Sequence, residues 1–311
     1  MSDSIQAAIR LDRPDLIEGH DLFAVLHSAL KSRSAAPGFQ ESSARSFWPA
    51  THFHLDGVSL FQEADDQTRE AILESCSRAL MAESYYIEKC GMYFASKMSL
   101  MAESTQEQML YSIFASDEAV HFHWISNYCA RADIEAYMHN PFIEFLAELL
   151  ERESKPTLTY IVQVILEGWG INHYHALAKD CKNAGLAQVF ENIIRDEARH
   201  HGSGLILFDE QKLSAGQIKT ITDILKQFFK MVQIGPQMIV WQIERALGRL
   251  SRDQKVRVFE ELSAEAYTAG KIENLKSLIG SAGQSDAILT ELERSRVLKP
   301  YTASECAAAS I

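Results

Sequence analysis

The pattern Asp-Glu-x-x-His occurs twice in this chain, as Asp117-Glu118-Ala119-Val120-His121 and as Asp196-Glu197-Ala198-Arg199-His200. Residues three apart share a helix face, so each copy aims a carboxylate and an imidazole at one point. A glutamate stands in the helical run before each copy, Glu83 ahead of the first and Glu167 ahead of the second. The separations, 35 positions from Glu83 to Glu118 and 30 from Glu167 to Glu197, suit antiparallel helical hairpins. Each leaves room for a helix to end, turn and come back to the same height. Four helices with inward-facing acids are the arrangement this pattern demands.

Periodicity tests whether the acids face inward. Glu83 shares its face with Ile72, Cys76, Leu80, Ile87, Cys90 and Phe94. Glu118 lies among Tyr111, Phe114, Ala115, Phe122 and Ile125. Glu167 lies among Tyr160, Val164, Ile171 and Tyr174, and Glu197 among Phe190, Ile193, Ile194 and Leu205. Each acid therefore interrupts an apolar stripe that should face a core. Four carboxylates gathered there would repel one another and lose their hydration. Two divalent cations would cancel that charge with both histidines neutral. Glu88 competes with Glu83 for the first position, but its neighbour Lys89 and its face-mates Glu74, Arg78 and Ser96 mark a solvent side. The expected metal ligands are Glu83, Glu118, His121, Glu167, Glu197 and His200.

The aspartates beside the glutamates have a place as well. A metal-bound histidine usually donates its second ring N–H to a carboxylate. Approximate two-fold symmetry pairs Asp196 with His121 and Asp117 with His200. The remaining histidines considered, His52, His54, His123, His173, His175 and His201, fall off the ligand faces and are expected to be surface or core residues.

The rest of the chain supports an all-α fold in a single domain, 1–311, with sparse Pro (7) and Gly (15) and no strand-like alternation. An N-terminal segment, 1–65, has short helices near 21–32 and 40–48 and an aromatic stretch over 45–60 that packs across the bundle. Residues 66–209 form the four-helix bundle, with long helices at 66–100, 104–130, 157–182 and 185–209 and a bridging helix near 141–153. C-terminal helices over 210–296 are expected at 215–247, 251–268 and 270–280, followed by a flexible tail, 297–311. Gly168 and Gly170, mid-helix beside Glu167, mark either a bulge or close helix packing.

Bulk properties narrow the function classes. The formal charge of −12 argues against a nucleic-acid partner. Five scattered cysteines with no C-x-x-C pair point to reduced thiols. No stretch is long and apolar enough to span a bilayer, and the N-terminus has no apolar signal core. A cytoplasmic protein is expected.

Two helices giving Glu and two giving Glu-x-x-His resemble the ferritin-like di-iron carboxylate superfamily. The resemblance covers 66–209 and implies a ferritin-like bundle with two iron ions (Mn/Fe as a variant) on the six residues. It also implies dioxygen as co-substrate, an external electron donor such as a ferredoxin or reductase, and a homodimer. The expected activity is that of an oxygenase or oxidase acting on a small organic substrate. The run Asp-Glu-Ala-Arg-His is similar to that of arylamine N-oxygenases, although Ile193 stands where those enzymes carry an extra histidine ligand. Within the superfamily, the alternatives are a ferroxidase or iron store, and a radical generator using Tyr86, Tyr111, Tyr160 or Tyr174.

Overall fold

The computed structural model describes residues 22, 25, 26, 30, 46–137, 140–283 and 285–309. Every regular element among them is helical, so the fold is all-α. In chain order these are α1 (Asp66–Leu100), α2 (Thr105–Ser126), α3 (Arg131–Tyr137) and α4 (Pro141–Arg152). A π-helical stretch, Thr159–Leu166, runs directly into α5 (Glu167–Asp180), and α6 (Ala184–Asp209) follows. Then come α7 (Ala215–Gln233), α8 (Gln237–Leu247), α9 (Arg252–Glu261), α10 (Ala264–Ser281), α11 (Ser285–Arg294) and α12 (Ala303–Ala309).

Helix boundaries follow local chemistry. Ser104 accepts from Glu107 N to start α2, and Asn140 accepts from Phe142 N to start α4, with Pro141 in its first turn. Ser214 and Ser251 each form a reciprocal capping box with the glutamine three residues on.

The chain forms two compact units, whose boundary runs through α1 and α6. One holds 78–155 and 183–196. Its core includes Phe94 set edge-on to Tyr111, and Tyr85 against Phe122 with ring centres 4.7 Å apart. Lys97 Nζ caps the end of α4 by donating to the carbonyls of Leu150 and Glu151.

The other unit holds 43–77, 156–182 and 197–311. In the aromatic segment after Ser46, Trp48, Leu55 and Val58 are fully buried. Trp48 Nε1 donates to Leu177 O at 2.8 Å, and His52 Nδ1 lies 2.9 Å from Asp180 Oδ2. Tyr160 of the π-helical stretch stacks on Phe208 of α6, with centroids 4.4 Å apart.

Several sequence expectations are corrected. Residues 215–247 form two helices, because Gly235 takes a positive φ of 71° and Pro236 follows it. The helix expected over 251–268 ends at Glu261, where Ser263 turns left-handed, and α10 starts there to run through 270–280. Within the segment expected as a tail, α12 packs on α9, burying Cys306 and Ala307. Helices α3 and α11 were not anticipated. Ser46–Trp48, the end of the helix expected near 40–48, are not helical, and the rest of that helix lies outside the described residues.

Candidate metal centre

In the first unit, α1 and α2 bring Glu88, Glu118 and His121 together, each with a ligand atom within 4.8 Å of the others. His121 Nδ1 lies 3.3 Å from Glu88 Oε2 and 3.8 Å from Glu118 Oε2. Its other nitrogen, Nε2, lies 3.0 Å from Asp196 Oδ2. The pairing of Asp196 with His121 is therefore present, and it leaves Nδ1 facing the two glutamates. Trp124, one turn beyond His121, sets its ring 6.0 Å from the imidazole and walls this end of the cluster.

Glu83 is not in this group. It is half-buried, and its Oε2 accepts from Asn140 Nδ2 at 3.2 Å, at the start of α4. Five residues of α-helix turn the side chain by about 140°, so Glu83 and Glu88 cannot address the same point. Glu88 holds the inward position and is 1% exposed. The reason periodicity misled is that this part of α1 is buried nearly all round: Met81, Ala82, Ser84, Tyr85 and Tyr86 are all core. Gly91, one turn after Glu88, carried the missed signal. A methyl group there would run into Glu118 Oε2, so the glycine gives the Glu118 carboxylate its space.

In the second unit, Glu167 at the head of α5 and Glu197 and His200 of α6 form another group, again with ligand atoms within 4.8 Å. His200 Nδ1 lies 3.7 Å from Glu197 Oε2. Glu197 and His200 are buried and Glu167 is half-buried. Five of the six residues expected from the motif thus fall into two Glu/Glu/His triads, with Glu88 in the sixth place. Asp117, beside Glu118 on α2, is half-buried. His52, His54, His123, His173, His175 and His201 join neither triad.

Gly168 serves close packing: a Cβ there would meet the His201 ring at 2.8 Å. Gly170 has open space around it. The irregularity lies upstream of both glycines, in the π-helical turn that sequence reading did not locate.

The electrostatics favour a cation. Burial opposes charge on His121, yet hydrogen bonds with Asp196, Glu118 and Glu88 overcome it and hold the imidazole well above the ordinary histidine range. His121 thus faces three carboxylates, two of them, Glu88 and Glu118, almost fully buried, which concentrates negative charge where little water can offset it. The donors are carboxylate oxygen and imidazole nitrogen, with no thiolate among them, a set that can hold a divalent cation. Cys90, on the turn after Glu88, is pushed up to about 12 by burial and stays a thiol.

No protein-family model, curated protein or solved structure matches this chain. What the site can do rests on its own residues. The buried Glu/His groups could hold metal, and no helix among the described residues is long and apolar enough to cross a membrane.

Proposed function

We propose that the chain is a ferritin-like di-iron oxidase or oxygenase that uses dioxygen to oxidise a small organic substrate. The observation that carries this reading is the doubled Glu/Glu/His triad, two groups of one donor set in one chain, buried but for a half-buried Glu167. When bound, a pair of iron ions supplies the redox chemistry that reduces dioxygen, with electrons from an external donor such as a ferredoxin or reductase. Glu88, Glu118 and His121 would hold one ion and Glu167, Glu197 and His200 the other.

The chain's residues do the rest. Three protein donors per ion leave coordination positions for small molecules. Asp196 fixes the His121 ring so that Nδ1 stays aimed at the glutamates. Phe114, Trp124 and Ile125, buried on the same helix as Glu118 and His121, keep bulk water from that triad. His121 would have to present a proton-free Nδ1 to hold a cation, so uptake would be favoured as pH rises.

Anaerobic titration with Fe(II) tests the reading, with two ions per chain as the expected end point. Oxygen is then admitted and absorption followed with and without candidate substrates; a substrate that alters the decay of a coloured species supports an enzyme. Fewer than two bound ions defeats the di-iron assignment. Assembly into a shell of about two dozen copies would support iron storage instead, whereas a dimer fits the enzyme.

A further inference from the structure

One buried polar side chain beside the second triad has no part in the donor set. Gln163 lies in the π-helical stretch, within the otherwise apolar run Tyr160-Ile161-Val162-Gln163-Val164-Ile165, and it is fully buried. A buried amide is costly unless its hydrogens find acceptors. The Gln163 Nε2 donates to His200 O at 2.9 Å and to Ser203 Oγ at 2.9 Å. Ser203 Oγ in turn donates to His200 O, also at 2.9 Å. Two side-chain donors, themselves hydrogen-bonded to each other, thus close on one carbonyl, the backbone carbonyl of a triad histidine.

The approach is made possible by Gly204. A Cβ at that position would meet Gln163 Cγ at 2.8 Å and Cδ at 3.1 Å. Gln163 also stands one turn before Glu167, so two residues of one helical run reach the same turn of α6: Glu167 as a member of the triad, Gln163 through the backbone. A π-helical turn is a local departure from α geometry that recurs at functional sites. Here it carries the amide that grips α6.

We propose that Gln163 is a positioning residue for His200: its two hydrogen bonds lock the turn that carries the imidazole and so set where the ring nitrogen points. The inference rests on the metal-site reading for its consequence, but not for the ring order it predicts in the metal-free protein. Gln163→Met keeps length and volume while removing both donors. Gly204→Ala keeps every donor and displaces only the Gln163 chain.

The test uses the full chain with nitrogen-15-labelled histidine, the His200 ring signals being identified by their loss in His200→Gln. In metal-free Gln163→Met the His200 signals should shift or broaden while those of His121 stay in place. With Co(II) as the metal, one of two bound ions should lose affinity by about tenfold or more, with displaced visible bands, while the other is unchanged. Gly204→Ala should reproduce both effects, and it decides the matter if Gln163→Met fails to fold. Wild-type His200 signals in both variants would overturn the proposal. If the wild-type protein takes up no Co(II), the metal reading fails, and the ring signals still decide what Gln163 does.

Discussion

Asp196 Oδ2 sits 3.0 Å from Nε2 of His121, and the next residue along α6, Glu197, belongs to the other triad. One peptide bond therefore joins the partner of one histidine to a candidate ligand of the second ion. Asp196→Asn exchanges a carboxylate for an amide opposite Nε2 and weakens the hold on the ring. Metal affinity should fall by about 10–100-fold in a competition titration, with the fold retained. Unchanged affinity would show that the ring is held by other contacts.

Glu88 and Glu83 give opposite expectations. Glu88→Gln should abolish binding of one of the two ions, read as metal per chain after desalting. Glu83→Gln should leave loading intact and cost about 1 kcal/mol or less, since an amide can still meet Asn140. The reverse result would return Glu83 to the donor set.

Gly91→Ala isolates the space occupied by Glu118. Alanine favours a helix interior over glycine by roughly 0.5–1 kcal/mol, so the metal-free protein should melt within a few degrees of the parent. The new methyl forces the Glu118 carboxylate aside, and affinity at that triad should drop by about tenfold. Wild-type metal binding in this variant would mean that the carboxylate relocates freely.

Acid stability should report His173. Burial, with help from Lys271 and His52, lowers this imidazole to about 4 in the folded chain. The unfolded value is about 6.5, so the folded state binds fewer protons between the two. Stability contributed by the neutral ring is complete above about pH 6.5 and is lost as pH falls towards 4. The loss is on the order of 2–3 kcal/mol. Denaturant unfolding at pH 7, 5 and 4 should give a shallower fall for His173→Gln than for the parent; equal slopes would contradict the shift.

The repeated Asp-Glu-x-x-His located most of the candidate site because its spacing is local, and a helix converts that spacing into a shared face. Glu118, His121, Glu197 and His200 needed nothing more, and the apolar stripe around Glu167 was enough to place it. Glu88 was hidden by burial on several sides of α1, where an apolar stripe no longer distinguishes one face. Gln163 was hidden for a different reason: its partner is a backbone carbonyl, which no side-chain pattern reveals. In the C-terminal half, Gly235-Pro236 and Ser263 broke helices that periodicity alone ran together. The small residues of α12 gave no sign that Cys306 would be covered, since that burial comes from packing on α9.

The π-helical turn also bears on which sequence changes this chain can absorb. A wide turn holds one residue more than the α-helix it interrupts. Losing a single codon within Thr159–Leu166 would let the turn relax to α geometry while Glu167 and the helix before the turn keep their faces. Losing a codon within α5 would instead rotate everything beyond it by about 100°. Length variation among descendants of this chain should therefore collect in the π stretch, and any lineage that closes the turn must find another way to hold the His200 carbonyl.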